Sequence, residues 1–393
     1  MENKNEWKKV KLKDVIDFNP KEILKKGTIA KYIEMANLQC FQKNILKYEI
    51  REYKGGTKFR NGDTLLARIT PCLENGKTGF IDFLDENEVA FGSTEYIILR
   101  EKNEVTDKNF IYYLSISEGF RNLAIKSMSG TSGRQRVQID ALLEAEIFLP
   151  PLIIQKKIAK ILSDIDSKIE LNNKINNNLE KQVQLIFNNH FFNKDKNYIN
   201  YVSSNLLEIA DFLNGLAMQK YTPDKSDEKN FPILKIKELN QGFTDKSSDR
   251  CSSKIKPEYI IKNGDIIFSW SGTLLIKIWC GNKCGLNQHL FKVTSKKYDK
   301  WFYFLWTNYH LKKFISIAKD KATTMGHIKR TDLEKSFVLI PPEKEYKNLN
   351  KILTPIFESI ISNKKENNYL KHLKNYLLPK LMNGEINVEN IEL

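Results

Sequence analysis

Long apolar runs are missing from this sequence of 393 residues: no stretch approaches the ~18 consecutive apolar residues of a membrane span. The opening segment, Met1 to Trp7, is polar and unlike a secretory signal. Cysteine is scarce. The five present (Cys40, Cys72, Cys251, Cys280 and Cys284) are odd in number and suggest no disulfide framework, which fits a reducing cytoplasm. Catalytic signatures are missing too. The Asn/Asp-Pro-Pro-Tyr/Phe run of amino-methyltransferases is absent, because both Pro-Pro pairs follow aliphatic residues, Leu149 and Ile340. The Gly-rich segment Ser129–Gly133 lacks the Lys and preceding strand of a phosphate-binding loop. Pro223-Asp224 with Glu228-Lys229 has the wrong spacing for nuclease carboxylates. Cys280, Cys284 and His289 fall short of four regularly spaced zinc ligands and read as thiols in a strand–turn–strand. The expectation is a cytoplasmic protein that is not an enzyme and uses no cofactor or metal.

What the sequence does have, it has twice. Leu149-Pro150-Pro151 returns as Ile340-Pro341-Pro342, and Lys160-Ile161-Leu162 as Lys351-Ile352-Leu353, both shifted by 191 positions. The same shift carries Asn172 onto Asn363 and Asn176 onto Asn367. Such a period is too long for a solenoid. It predicts two copies of one globular domain plus helix. Upstream, Asp14-Val-Ile-Asp-Phe18 parallels Glu208-Ile-Ala-Asp-Phe212. Asn61-Gly62-Asp63 parallels Asn263-Gly264-Asp265, each an Asn-Gly turn feeding an apolar strand. Gly92–Leu99 parallels Gly285–Lys292. Residues 108–127 and 299–319 have helical spacing with many aromatics. Each copy is therefore mixed α and β with a strand-rich middle.

After each Pro-Pro comes a long amphipathic helix. Ile154, Ile158, Ile161, Ile165, Ile169, Leu179, Val183 and Ile186 fall at spacings of three and four. Ile352, Ile356, Ile360, Leu370 and Leu377 do so in the second. Asn172, Asn176, Asn363 and Asn367 interrupt these stripes at heptad core positions, where buried Asn fixes register at a cost in stability. The plainer alternative is an exposed Asn-rich stretch. Pro355 should distort the second helix locally, and Pro379 should end or kink it. Two matching stripes predict an antiparallel pair, a spacer of about 50 Å for ~35 residues.

Charge completes the picture. The formal net charge is +15, which favours an anionic partner, nucleic acid first. Residues 1–150 carry 24 Lys/Arg against 22 Asp/Glu, whereas residues 251–350 carry 18 against 8. The second half is the stronger electrostatic candidate. The plain alternative is a solubilising Lys-rich surface.

In order, and twice, these motifs resemble the specificity subunits of type I restriction–modification systems. The telling stretches are Gly62–Lys77 with Gly92–Tyr96, then Gly264–Thr273, Asn287–His289 and Met325–Arg330, with Pro-Pro before each helix. The second copy departs where Glu345 and Tyr346 replace Ile154 and Gln155. The resemblance implies an α+β chain of two duplicated target recognition domains separated by two long antiparallel helices, a coiled coil. On it, residues 1–150 are the first recognition domain and 151–192 the central helix. Residues 193–341 are the second domain, and 342–393 the C-terminal helix and tail. It further implies that each domain reads one half of a bipartite site in double-stranded DNA. The helices would hold methyltransferase subunits, two of them, and endonuclease subunits would join the full complex.

Base readout needs side-chain donors and acceptors on loops or strand ends, while Lys and Arg on phosphate supply affinity. The first half offers Arg68, Lys77, Ser93, Thr94, Glu95, Arg134, Gln135 and Arg136. Arg134–Arg136 follow the Gly/Ser segment and read equally as a solvated basic turn. The second half offers Trp270, Ser271, Thr273, Lys277, Asn287, Gln288, His289, Thr323, Thr324, His327, Lys329 and Arg330, with Trp270 also reading as a core aromatic. Divergence between the halves predicts an asymmetric site. The rival readings are a self-sufficient DNA-binding protein without a methyltransferase partner, and a fused enzyme.

Overall fold

The computed structural model describes all residues except 1–6, 132, 194, 196, 225–228, 321–325 and 392–393. The chain divides into two compact units: Met1–Lys168 with Lys371–Leu393, and Ile169–Leu370.

In the first unit, apolar strands stack in the order Ile16–Phe18, Tyr96–Glu101, Thr64–Ala67, Thr78–Phe80, all antiparallel. A second sheet runs Glu49–Glu52, Ile29–Ile33, Ala90–Gly92, Thr57–Phe59, with its central pair parallel. The second unit has the same two orders. One is Asp211–Asn214, Leu290–Thr294, Ile266–Ser269, Leu275–Ile278. The other is Arg250–Ser252, Asn230–Leu234, Cys284–Leu286, Ile260–Ile261, again parallel at its centre. In each unit a short strand near the start (Lys8–Lys11, Val202–Asn205) pairs with the strand before Pro-Pro (Glu146–Leu149, Phe337–Ile340).

The Asn-Gly-Asp turns form as expected. Gly62 and Gly264 take φ of +91° and +88°, where a Cβ would be strained. The following carboxylate locks each turn. Asp63 accepts from the Arg60 N–H at 2.8 Å and is gripped at two points by Arg100, at 2.6 and 2.7 Å. Asp265 accepts from the Lys262 N–H at 2.9 Å and pairs with Lys292 at 2.9 Å. The strand register corrects one sequence parallel. Ala67 lies opposite Tyr96 and Ser269 opposite Leu290, so Gly92 corresponds to Leu286, one residue beyond Gly285. A one-residue slip would turn every side chain to the wrong face of the sheet, so burial decides the alignment.

Residues 108–127 form two helices, Lys108–Ile116 and Glu118–Lys126. Ser117 adopts extended backbone between them, and its side chain caps the second by accepting from the Phe120 N–H. The counterpart in the second unit, Lys300–Asp320, is unbroken.

The long helices are Leu152–Phe191 and Glu343–Met382. In the first unit Ile154, Ile158 and Leu162 enter a core with Phe110, Ile111, Tyr112 and Leu381. In the second, Val183, Phe187, Phe191, Leu349, Leu353 and Phe357 pack around Trp301, Phe302 and Trp306. The second long helix runs through Pro355 and ends three residues beyond Pro379, at Met382. Proline removes one helical donor and crowds the preceding turn. Burial of Leu353, Phe357 and Ile360 around Pro355, and of Leu381 beyond Pro379, holds the helix past both. Asn172, Asn176 and Asn367 are buried rather than exposed. Among the described residues no helix is long and apolar enough to cross a membrane.

Candidate nucleic-acid interface

Three segments distant in sequence meet at the end of the Thr64–Ala67 strand. The Arg68 N–H donates to the Glu95 carbonyl at 3.0 Å, and the Arg68 carbonyl accepts from the Val137 N–H at 2.9 Å. Two residues on, the Thr70 N–H donates to Gln135 at 3.0 Å, and Ile69 bridges Arg136. The same backbone clamp closes in the second unit. The Trp270 N–H donates to His289 at 3.4 Å, the Trp270 carbonyl accepts from Ile328 at 3.1 Å, the Gly272 N–H donates to Gly326 at 2.9 Å, and Ser271 bridges His327. Backbone bonds need no particular side chain, so one scaffold presents different chemistry in each unit.

In the first unit that chemistry is charged. Arg136 Nε lies 3.0 Å from both carboxylate oxygens of Glu95, and Nη2 lies 2.7 Å from Oε1. This charge-assisted grip holds the Glu95 carboxyl below the usual carboxylate range, with Arg68 adding to it. Arg68 Nη2 reaches the Val137 carbonyl at 3.4 Å, and its buried Nε has no hydrogen-bond partner among the described residues. Ser93 Oγ accepts from the Glu95 N–H at 3.2 Å and shapes the turn, while Thr94 is exposed. Gln135 gives its carbonyl to the clamp, and Arg134 stands exposed beside it. Lys77 is turned away: its ammonium donates to the Met35 carbonyl at 2.8 Å.

In the second unit the chemistry is aromatic. The Trp270 ring centroid lies 6.2 Å from His289 and 6.3 Å from His327. The indole N–H donates to Asn214 at 3.1 Å, and Ser271 Oγ lies 3.0 Å from His289 Nδ1. Trp270 is half-buried against the core, so both sequence readings of it meet in one residue. Asn287 is buried and its Oδ1 accepts from the His289 N–H, leaving Gln288 as the more available amide. Thr273, His327, Lys329 and Arg330 are exposed. The Lys329 N–H starts a short helix by donating to Asp332 at 2.8 Å. Lys277 lies on the Leu275–Ile278 strand opposite Ile267 and donates to the Asn240 carbonyl, away from the clamp. Thr323 and Thr324 lie outside the described residues. Sequence reasoning missed Asn214. Its signal was its place at the end of a strand, since Asn19 beyond the matching strand of the first unit also bonds inward, to the Ile98 N–H at 2.9 Å.

Cys251, Cys280 and Cys284 are buried, and burial pushes each thiol up. Among the described residues no group of three or more His, Cys, Asp or Glu is placed to hold a metal ion.

The family model described as Type I restriction modification DNA specificity domain matches residues 4–181 and 198–372. The chain is 29% identical over 308 residues to the type I restriction enzyme MjaIX specificity subunit of Methanocaldococcus jannaschii, covering 72% of this chain and 70% of that protein. It is 22% identical over 418 residues to the HindI specificity subunit of Haemophilus influenzae, covering 86% and 90%. The solved S subunit of a type I restriction–modification system from M. genitalium shares the fold, with a TM-score of 0.60 at 17% identity over 97% of both chains.

Proposed function

The chain belongs to the type I restriction–modification DNA specificity family, and from that premise we propose that each unit reads one half of an asymmetric, bipartite site in double-stranded DNA. Members of this family are non-catalytic specificity subunits, and DNA specificity within such a system is the role of this chain.

The observation that carries the finer reading is the backbone clamp built twice with different side chains. Arg68, Glu95 and Arg136 occupy one, and Trp270, His289 and His327 the other. A duplicated scaffold with unlike residues suits two readers of unlike half-sites. On this reading residues 1–150 and 193–341 are the target recognition domains. The segments 151–192 and 342–393 form an antiparallel coiled coil that sets the spacing and docks two methyltransferase subunits, with endonuclease subunits joining them. Exposed Leu171, Ile175, Leu185, Ile352 and Tyr369 on the long helices offer apolar surface for that docking.

Adenine-methylation mapping of DNA from cells carrying this chain with its cognate methyltransferase, against cells lacking the chain, tests the proposal. The expected result is a split, asymmetric motif that depends on the chain. A palindromic or unsplit motif would overturn it. Site-specific binding that needs no methyltransferase would favour a self-sufficient DNA binder instead.

A further inference from the structure

Resting on the DNA-specificity reading, we propose that Arg136 and Arg134 divide the work of the first unit: Arg136, gripped by Glu95, selects guanine, and Arg134 holds phosphate. The two cations sit two residues apart on one basic segment, and their sequence surroundings are alike. Their structural surroundings are not.

Arg136 sits at the clamp, bridged to Ile69 and followed by fully buried Val137. Glu95 occupies one edge of its guanidinium, Nε and Nη2. Among the described residues nothing occupies the end-on edge, Nη1 with the second proton of Nη2, which is left to donate. Two parallel donors on a plane match O6 and N7 of guanine in the major groove. The carboxylate fixes that plane beforehand, so less side-chain freedom is lost on binding. It also makes the pair locally neutral. A neutral pair releases few counterions, so Arg136 adds base discrimination rather than salt-sensitive affinity.

Arg134 is the opposite case. It lies on an exposed turn after Gly130 and Gly133, whose φ values are +126° and +80°. No ion pair to it is formed among the described residues. An exposed guanidinium attracts phosphate without regard to sequence. In the second unit the positions of Glu95 and Arg136 are held by His289 and His327, so this Arg–Glu reader belongs to one half-site alone.

The test uses the full chain assembled with its methyltransferase, on duplexes carrying the mapped motif and each single-base variant, across a range of salt. Arg134→Ala should lower the slope of log affinity against log salt by about one and leave base preference intact. Arg136→Ala combined with Glu95→Gln, which removes both charges of the pair, should keep the slope and flatten the preference for one guanine in one half-site by about 5- to 150-fold. Arg136→Lys keeps an ion pair to Glu95, and with it the fold, but lacks the fork, so it should also lose the preference. Glu95→Gln should weaken it in part. A salt slope that falls with the double variant while every base preference survives would overturn the assignment, as would a mapped motif without guanine in either half. A wild-type complex with no base preference would defeat the DNA-specificity reading itself. A preference indifferent to residue 136 would defeat only this inference.

Discussion

Asn172 donates a hydrogen bond of 2.9 Å to Asn367, the residue 191 positions after Asn176, while Asn363, 191 positions after Asn172, donates one of 3.0 Å to Asn176. Each Asn thus pairs with the repeat partner of the other. That exchange sets the helical segments 169–191 and 343–370 of the second unit side by side in opposite directions. Asn367 also donates to Asn173 at 2.8 Å, and Asn172 to Glu366 at 2.8 Å.

The Asn layer should be worth more as a constraint than as a source of stability. Asn367→Leu leaves the Asn172 and Asn173 amides without this partner and should destabilise the second unit by about 1–3 kcal/mol. Replacing Asn172, Asn176, Asn363 and Asn367 all by Leu should recover stability or raise it, with a loss of unique register. Urea denaturation gives the first quantity. Paired cysteines introduced along the two helices and cross-linked by mild oxidation report the second, and a single cross-linking register in the all-Leu variant would count against this account.

Asp166 organises a second polar contact, inside the first unit. It accepts from Lys374 Nζ at 2.7 and 2.8 Å and from the Tyr113 hydroxyl at 2.8 Å. The Lys374 and Asp166 side chains are only 9% and 16% exposed. Lys374→Met should cost about 3 kcal/mol, because it strands a carboxylate that burial has stripped of water. Adding Asp166→Asn should return most of that. A double-mutant cycle in urea checks the pair, and additive single effects would refute the coupling.

The second unit should be acid-sensitive through His310. Its ring is buried, with Nε2 2.8 Å from the Phe337 carbonyl. Burial lowers its pKa, Lys313 lowers it further, and the Phe337 bond only partly opposes them. The unfolded chain takes up the proton near pH 6.5, while the folded one resists it. The stability linked to this ring is therefore complete above about pH 6.5 and erodes as pH falls toward the lowered folded value. Melting curves at pH 7.5 and 5.5 should show a loss for the wild type. His310→Gln, which can still donate to Phe337, should narrow the loss by a few degrees, since about 1 kcal/mol moves Tm by about 2–4 °C in a unit of this size. An equal loss in both proteins would exclude His310.

The two clamps should be separable by mutation. Ser271→Ala removes the Oγ contact that orients His289. It should relax base preference in the second unit's half-site by about 5-fold, the scale of one hydrogen bond, and leave the other half-site unchanged. Methylation mapping with the variant distinguishes this from a change in both halves, which would mean that the units do not read independently.

Much of this fold is written locally. Spacings of three and four set the long helices, because burial on one face repeats with the helical turn, and Ile154, Ile158, Ile165 and Val183 are buried accordingly, whereas Leu162 and Phe187 take the buried places beside the expected Ile161 and Ile186. The Asn-Gly-Asp turns and the strands they feed are equally local, and the repetition itself needed only comparison of one half with the other. Other features needed neighbours. Ser117 splits one helix of the first unit through its own cap, although the aromatic spacing runs on across it. The second long helix continues through Pro355 and three residues past Pro379 to Met382, where buried Leu353, Phe357 and Leu381 hold it.

The sequence by itself determined two copies, two long helices, a basic character and the family. It also supplied a set of polar residues near strand ends. Which of them meet was decided by tertiary structure. Glu95 finds Arg136 41 residues away, Trp270 finds Asn214 56 residues away, and Lys77 is spent on Met35. The physical reason is that periodicity fixes the face on which a residue lies. Its partner depends on how far each strand runs before turning and on the register across the sheet, and a single residue of slip exchanges one face for the other.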